Sequence, residues 1–182
     1  MIYGEKTITL KNGQKCLLRS PTAEDTEGMI AYLRQTSGET PYMARYEDEV
    51  TMTADKEGRF LSEILDDPKI IMIAAFIDGR LIANAGLSRV SLREKHHHRA
   101  EFGISIVKEY WNQGLGSALL AAIIESAKSA GYEQLELDVV AENERAVALY
   151  KKFGFETYGT RERSFKLRDG SYSSEYLMLK KL

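Results

Sequence analysis

The chain has 182 residues, 43% of them apolar, with 25 basic side chains against 27 acidic ones. That length and apolar fraction suit one domain with its own core and are cramped for two, while the near-cancelling charge leaves no overall field to attract nucleic acid or an anionic membrane. No stretch reaches the roughly 18 apolar residues of a membrane span; the lone cysteine, Cys16, excludes an internal disulfide and fits a cytoplasmic compartment, and no paired Cys/His spacing points to a metal.

In chain order, "ITLKNGQKCLLR" predicts two β runs turning at Asn12-Gly13, so that residues of about 6–11 form an extra N-terminal hairpin strand. "SPTAEDTEGMIAYLRQT" predicts a helix capped by Thr22, with Met29, Ile30 and Leu33 on its buried side. Residues of about 35–53 read as irregular, carrying Gly38, Pro41, Tyr42, Met43 and Tyr46. A stretch of that length is either a plain connection or the wall or lid of a site. A second helix is expected over about 54–66, burying Phe60, Leu61, Ile64 and Leu65. "KIIMIAAFIDGRLIANAGLSRV" reads as a hairpin turning at Asp78-Gly79, its first arm apolar enough to be covered on both faces. The strands "RAEFGISIV" and "QLELDVV" follow, separated by a glycine-led helix, then a helix over about 144–153 and a last hairpin about Asp169-Gly170. The expected fold is a single α+β domain over residues 1–182 with a mixed, mostly antiparallel central sheet flanked by helices on both faces.

The glycine-led helix, "EYWNQGLGSALLAAIIESAKSAG", repeats Leu115, Leu119, Leu120, Ile123, Ile124 and Ala127 at helical spacing and stops at Gly131. Its first turn exposes backbone N–H groups without intrahelical partners, and Gly114 and Gly116 remove Cβ atoms that would keep an anion away. A P-loop would need Lys and Ser/Thr after Gly116, where Ser117 and Ala118 stand. The dinucleotide fingerprint would need a third glycine at Leu119, although Glu136 or Asp138 could pass for its ribose-binding acid. A strand-to-helix turn without any ligand also fits the glycines alone.

Downstream, "ELDVVAENERAVALYKKFGFE" places Asn143 and Tyr150 seven residues apart, on one side of a helix. Singly, they read as an N-cap and a core-edge aromatic. Together, "EFGISIVKEYWNQGLGSALL" and "LELDVVAENERAVALYKKFGFE" resemble the pyrophosphate loop and the following strand and helix of the GCN5-related N-acetyltransferase (GNAT) family, over roughly residues 16–180. The family's loop begins with Gln or Arg where Trp111 stands here, with Gln113 next to Gly114. The resemblance is greatest to the branch acting on amino acids or small amines.

What the resemblance implies is an acyl-CoA N-acyltransferase fold that moves an acetyl group from acetyl-CoA to a primary amine by direct attack in a ternary complex. Two central strands would splay, and the pantetheine arm would lie between them on backbone groups around Ile106, Val107 and Lys108. Gln113, Gly114, Leu115, Gly116, Ser117 and Ala118 would bind the diphosphate. Asn143 would hold the pantetheine arm, and the Tyr150 hydroxyl would protonate the departing thiolate. A homodimer stays open. An amine must also lose a proton, and strand alternation puts Glu101, Gly103 and Ser105 on the roomier face of their strand, with Asp138 on the neighbouring one. Glu101, acting through a water, is favoured as base over Asp138, and either could instead be a strand carboxylate held in a salt bridge. In "REKHHHR" the expectation is a solvated loop; the sharper alternative has His98 or Arg99 receiving an acceptor carboxylate. The competing functions are a non-catalytic acyl-CoA sensor, acetylation of a protein N-terminus, and hydride transfer.

Overall fold

The apolar run after residue 70 becomes a central strand because both of its faces are covered. In the computed structural model, which describes residues 1–182, the strands are β1 (Lys6–Thr9), β2 (Lys15–Arg19), β3 (Ile71–Ile77), β4 (Arg80–Arg89), β5 (Arg99–Ile106), β6 (Gln134–Val140), β7 (Glu156–Lys166) and β8 (Tyr172–Lys181). They form one sheet in the order β1-β2-β3-β4-β5-β6-β8-β7, with only β5 and β6 parallel. Four α-helices flank it: α1 (Thr26–Glu39), α2 (Ala54–Asp66), α3 (Leu115–Ser129) and α4 (Glu144–Lys152). No helix is long and apolar enough to cross a membrane.

The pairing of β5 with β6 positions the site. It runs only from Arg99↔Gln134 to Glu101↔Glu136. Beyond that point β5 stays on β4 as far as Ile106, while β6 stays on β8 as far as Val140. The strands part, leaving a notch with unpaired edges in the middle of the sheet. Alternation along β5 then aims its residues at two different helical layers. Phe102 meets Tyr150 of α4, whereas Ser105 meets Tyr32 of α1.

Local details depart from the sequence expectations in four places. Thr22 opens a 3-10 turn, Ala23–Asp25, and Asp25 stands at the N-cap of α1, because the Thr22 N–H is taken by the Asp25 carboxylate at 2.8 Å. The first hairpin does not turn at Asn12-Gly13 alone, since β1 ends at Thr9 and β2 starts at Lys15. Leu10 is buried, and its N–H donates to the Gln14 carbonyl at 2.9 Å, so the loop closes one step earlier. Helix α1 continues to Glu39 because the Thr36 and Ser37 hydroxyls are buried and bond to the Tyr32 and Leu33 carbonyls at 2.9 and 2.6 Å. Phe60 does not join the buried side of α2. It is 45% exposed, and the buried stripe is Glu57, Leu61 and Ile64.

Candidate active site

At the notch, the end of β5, the start of α3, helix α4 and the segment after α1 enclose a cleft of about 290 Å³. One end of it is built by the start of α3. Gly114 caps this helix with φ 88°, a left-handed conformation that favours glycine. The first intrahelical acceptance is Ala118 N–H to the Gly114 carbonyl at 3.2 Å, so the amides of Leu115, Gly116 and Ser117 have no partner within the helix. Gly116 also serves packing, beside the use its spacing suggested. A Cβ there would stand 3.2 Å from Leu149 Cδ2 and 3.5 Å from Ile106 Cδ1, so the missing side chain lets α3 start against α4 and β5.

Cations gather at the same end. The Lys11 N–H donates to the Gln113 carbonyl at 3.1 Å, tying the first hairpin loop to α3, and Lys11 lines the cleft. Arg145 lies 3.4 Å over the Trp111 ring, makes no ion pair, and has its charged form disfavoured by burial. Unpaired amides and two uncompensated cations suit a diphosphate. Neither Lys11 nor Arg145 stood out in the sequence, although Arg145 is two residues beyond Asn143.

Of the residues expected to hold an acyl donor, Ile106, Gly114, Gly116, Ser117, Asn143 and Tyr150 line this cleft, and Val107, Lys108, Gln113, Leu115 and Ala118 do not. The Leu115 side chain is in the core, and the Val107 N–H is used by the Ile82 carbonyl at 2.9 Å. The Ile106 carbonyl accepts from Trp111 Nε1 at 2.8 Å, and the Lys108 N–H donates to Glu39 Oε2 at 2.7 Å. Trp111 thus reaches back onto the strand end. Asn143 caps α4, its Oδ1 accepting from the Ala146 N–H at 3.3 Å, and it also lines the cleft. Tyr150 is 7% exposed and edge-on to Phe102 at 5.8 Å. Burial pushes its hydroxyl up to about 12, so the phenol remains a proton donor, and it makes no hydrogen bond within the chain.

The two carboxylates lie on the other face of β5, in a second cavity of about 520 Å³. Gly86 and Gly103 are cross-strand partners there, and nothing lies within 4 Å of where either Cβ would be. This glycine floor continues to Ser88 and Glu101, also partners. Glu101 is exposed and makes no ion pair or hydrogen bond. Asp138 instead binds Arg161 at 2.7 Å, and the same guanidinium holds Glu175 at 2.9 Å. Arg99 is spent on Glu136 at 2.5 and 2.7 Å, and His98 is exposed, so the "REKHHHR" run gives this cavity no free guanidinium.

The model of the Acetyltransferase (GNAT) family matches residues 18–155. Over 116 residues the chain is 34% identical to the L-amino acid N-acetyltransferase AaaT of Escherichia coli (strain K12), covering 63% of this chain and 70% of that enzyme. Over 69 residues it is 38% identical to the [ribosomal protein bS18]-alanine N-acetyltransferase of the same organism, covering 38% of this chain and 47% of the relative. The crystal structure of an acetyltransferase of the GNAT family from Streptococcus pneumoniae superposes with a TM-score of 0.87 at 32% identity, over 92% of this chain and 99% of that one.

Proposed function

The chain belongs to the Acetyltransferase (GNAT) family, and we propose that it transfers the acetyl group of acetyl-CoA to the primary amine of a small molecule or free amino acid, by direct attack in a ternary complex. The observation that supports the small-acceptor reading is the tethering of the segment after α1 across the face opposite Tyr150. The segment after α1 is pinned to the β7–β8 turn by Arg168, which binds Asp48 at 2.7 and 2.8 Å and stacks 3.9 Å over the Tyr46 ring. The Arg168 N–H also donates to the Tyr46 hydroxyl at 3.0 Å. Tyr158 and Arg161 of β7 border the carboxylate cavity, so side chains from several segments narrow the acceptor side, which supports a small acceptor.

Each group then has a task. The amides of Leu115, Gly116 and Ser117, with Lys11 and Arg145, hold the diphosphate of the donor, and Asn143 holds its pantetheine arm. Glu101, free of any cation, takes the amine proton through a water. An α-amino group of pKa near 8 needs only about 1 kcal/mol to become neutral at pH 7, against roughly 4–5 kcal/mol for a lysine-like amine. A weak surface carboxylate suffices for the first. Tyr150 works mainly as a hydrogen-bond donor to the developing thiolate. Full transfer from a phenol near 12 to a thiolate of ordinary pKa, about 8.5, would be uphill by about 5 kcal/mol, so Tyr150 keeps its proton and the thiolate leaves hydrogen-bonded, to take a proton from solvent.

Thiol release from acetyl-CoA, measured with free amino acids, polyamines, aminoglycosides and short peptides as acceptors, tests this. Turnover with amino acids well above that with peptides is expected. Turnover confined to peptides refutes the small acceptor, and donor binding without turnover on any amine refutes the enzyme in favour of a sensor.

A further inference from the structure

No carboxylate and no imidazole lines the cleft of Tyr150, and its charged residues, Lys11 and Arg145, belong to the diphosphate end. Negative charge that develops on an acyl oxygen during attack by an amine must therefore be met there by neutral donors. Beyond Glu101 the edge of β5 has no strand beside it, so a donor in the notch lies against Ile104, Ser105 and Ile106, with Leu149 and Tyr150 of α4 in the same cleft. Ser105 carries the hydroxyl of the β5 wall. The Thr36 hydroxyl, also in the cleft, is spent on the Tyr32 carbonyl at 2.9 Å, and that of Tyr42 reaches the Glu142 carbonyl at 3.5 Å.

Ser105 is held from behind. Tyr32 of α1, only 2% exposed, brings its hydroxyl to the Ser105 carbonyl at 2.7 Å and to Ser105 Oγ at 2.5 Å. A buried phenol is satisfied by one acceptor, and the carbonyl alone would serve. The contact at Oγ is therefore the informative one. Burial raises the Tyr32 pKa, so the phenol stays protonated and offers one proton to two acceptors. With that proton on the carbonyl, the Ser105 proton turns to the Tyr32 oxygen. With it on Oγ, which has no other partner in the chain, the Ser105 proton is left over for a group in the cleft. The second arrangement runs from phenol to serine to ligand, and each bond polarises the next.

We infer that the Ser105 hydroxyl donates to the acyl oxygen of the donor as the amine attacks, with Tyr32 positioning and polarising it through the contact at Oγ. The inference rests on the acetyl-CoA reading above and adds a catalytic residue to it. An acyl oxygen can only accept, which matches the proton that Tyr32 leaves over. The amine nitrogen bonds to the acyl carbon, and the carbonyl electron pair moves onto the oxygen held by Ser105. Return of that pair breaks the carbon–sulfur bond and expels the thiolate, while the amine proton goes through water to Glu101. Ser105 and Tyr32 lend hydrogen bonds and lose no proton. Coenzyme A has no acyl oxygen, so its affinity does not depend on Ser105.

The test has a spectroscopic arm and a kinetic one. Acetyl-CoA isotopically labelled at the acyl carbonyl is bound to the full chain, and its carbonyl stretch is read by infrared difference spectra. The band should lie at lower frequency in the native chain and in Ser105→Thr than in Ser105→Ala. In thiol release, Ser105→Ala should lower kcat by about 10²- to 10³-fold, the range for one lost oxyanion donor, with the dissociation constant of coenzyme A unchanged. Ser105→Thr, which keeps the hydroxyl, should regain part of that rate. Tyr32→Phe should cost about tenfold in kcat and add nothing to Ser105→Ala, because one acts through the other. Identical bands in the native chain and Ser105→Ala, or kcat and coenzyme A affinity falling together, overturn the assignment of Ser105. Additive losses in the double variant overturn the part given to Tyr32. If the donor binds and no amine turns over, the enzyme reading falls alone: a lowered native band still upholds the Ser105 contact, and an unshifted one overturns both.

Discussion

A carboxylate placed in the first turn of α3 tests whether a diphosphate binds there. Gly116 is a poor place for it, because any side chain meets Leu149 at 3.2 Å and the unliganded fold would suffer. Ser117, one residue on, is half-buried and lines the cleft, and the first turn of α3 carries no acid. Ser117→Asp should leave the unliganded fold intact or stabilise it by about 0.3–1 kcal/mol, since an anion near a helix N-terminus is favoured. Against a bound diphosphate the same charge is repelled. At about 6 Å a unit pair costs about 0.7 kcal/mol at water-like dielectric and about 2.8 kcal/mol at an effective value of 20. Two phosphate charges give roughly 1.4–5.5 kcal/mol, an affinity loss of tenfold or more.

Two assays read this out. Coenzyme A at about 100 times the native dissociation constant adds roughly 2.7 kcal/mol of stability, and a tenfold loss of affinity cuts that to about 1.4 kcal/mol at the same concentration. The thermal shift should therefore at least halve in Ser117→Asp and be retained in Ser117→Ala. Trp111 is the sole tryptophan and lines the same cleft, so its fluorescence reports a direct titration. High salt should recover part of the lost affinity, because partly exposed charges are screened. An Asp variant that keeps the full shift and the native titration refutes the placement of the diphosphate.

Tyr150→Phe should lower turnover by roughly 10²-fold with coenzyme A affinity within a few-fold, and equal losses in both would make Tyr150 a positioning group. Because burial holds its hydroxyl near 12, the native rate should show no basic limb from this group below about pH 11. Glu101→Gln should lower kcat/KM by about 10²-fold at neutral pH, with the defect narrowing as pH approaches the pKa of the amine; Asp138→Asn, which removes a partner of Arg161, should not show that pH dependence, and the reverse pattern would reassign the base. The Arg99 guanidinium holds Glu136 below the ordinary carboxylate range, so that pair stabilises the fold fully above about pH 5 and loses its contribution as pH falls through the lowered folded value. Thermal midpoints from pH 6 down to 3 should fall less steeply in Glu136→Gln, and an equal slope in both refutes the linkage.

Much of this site could be read in the sequence wherever its signal was local. Period-two alternation placed Glu101, Gly103 and Ser105 on one face of β5, and the start of α3 at the glycine turn followed from a polar stretch turning into an apolar helix. Non-local partners left no such trace. The Asp138 side chain is held by Arg161, 23 residues further on, through a strand pairing that no spacing near Asp138 announces. The packing need for Gly116 was invisible because the Leu149 methyl that approaches it arrives from another helix. Phe60 and Glu57 both fit the edge of one helical stripe, and only the approach of α1 and Arg45 decides which of them is buried.

Arg45 shows why a charge that the fold leaves without a salt-bridge partner is invisible in the sequence. It stands in "ARYEDEV", where Glu47, Asp48 and Glu49 follow within four residues, so by sequence its charge is more than balanced. The fold sends those acids elsewhere. Asp48 goes to Arg168 on the β7–β8 turn, and Glu49 accepts from the Tyr46 N–H at 2.7 Å. The acids that would have neutralised Arg45 thus fasten the segment that carries it, and the guanidinium is left facing inward with Nε unpaired. Burying a cation without a full counterion costs stability.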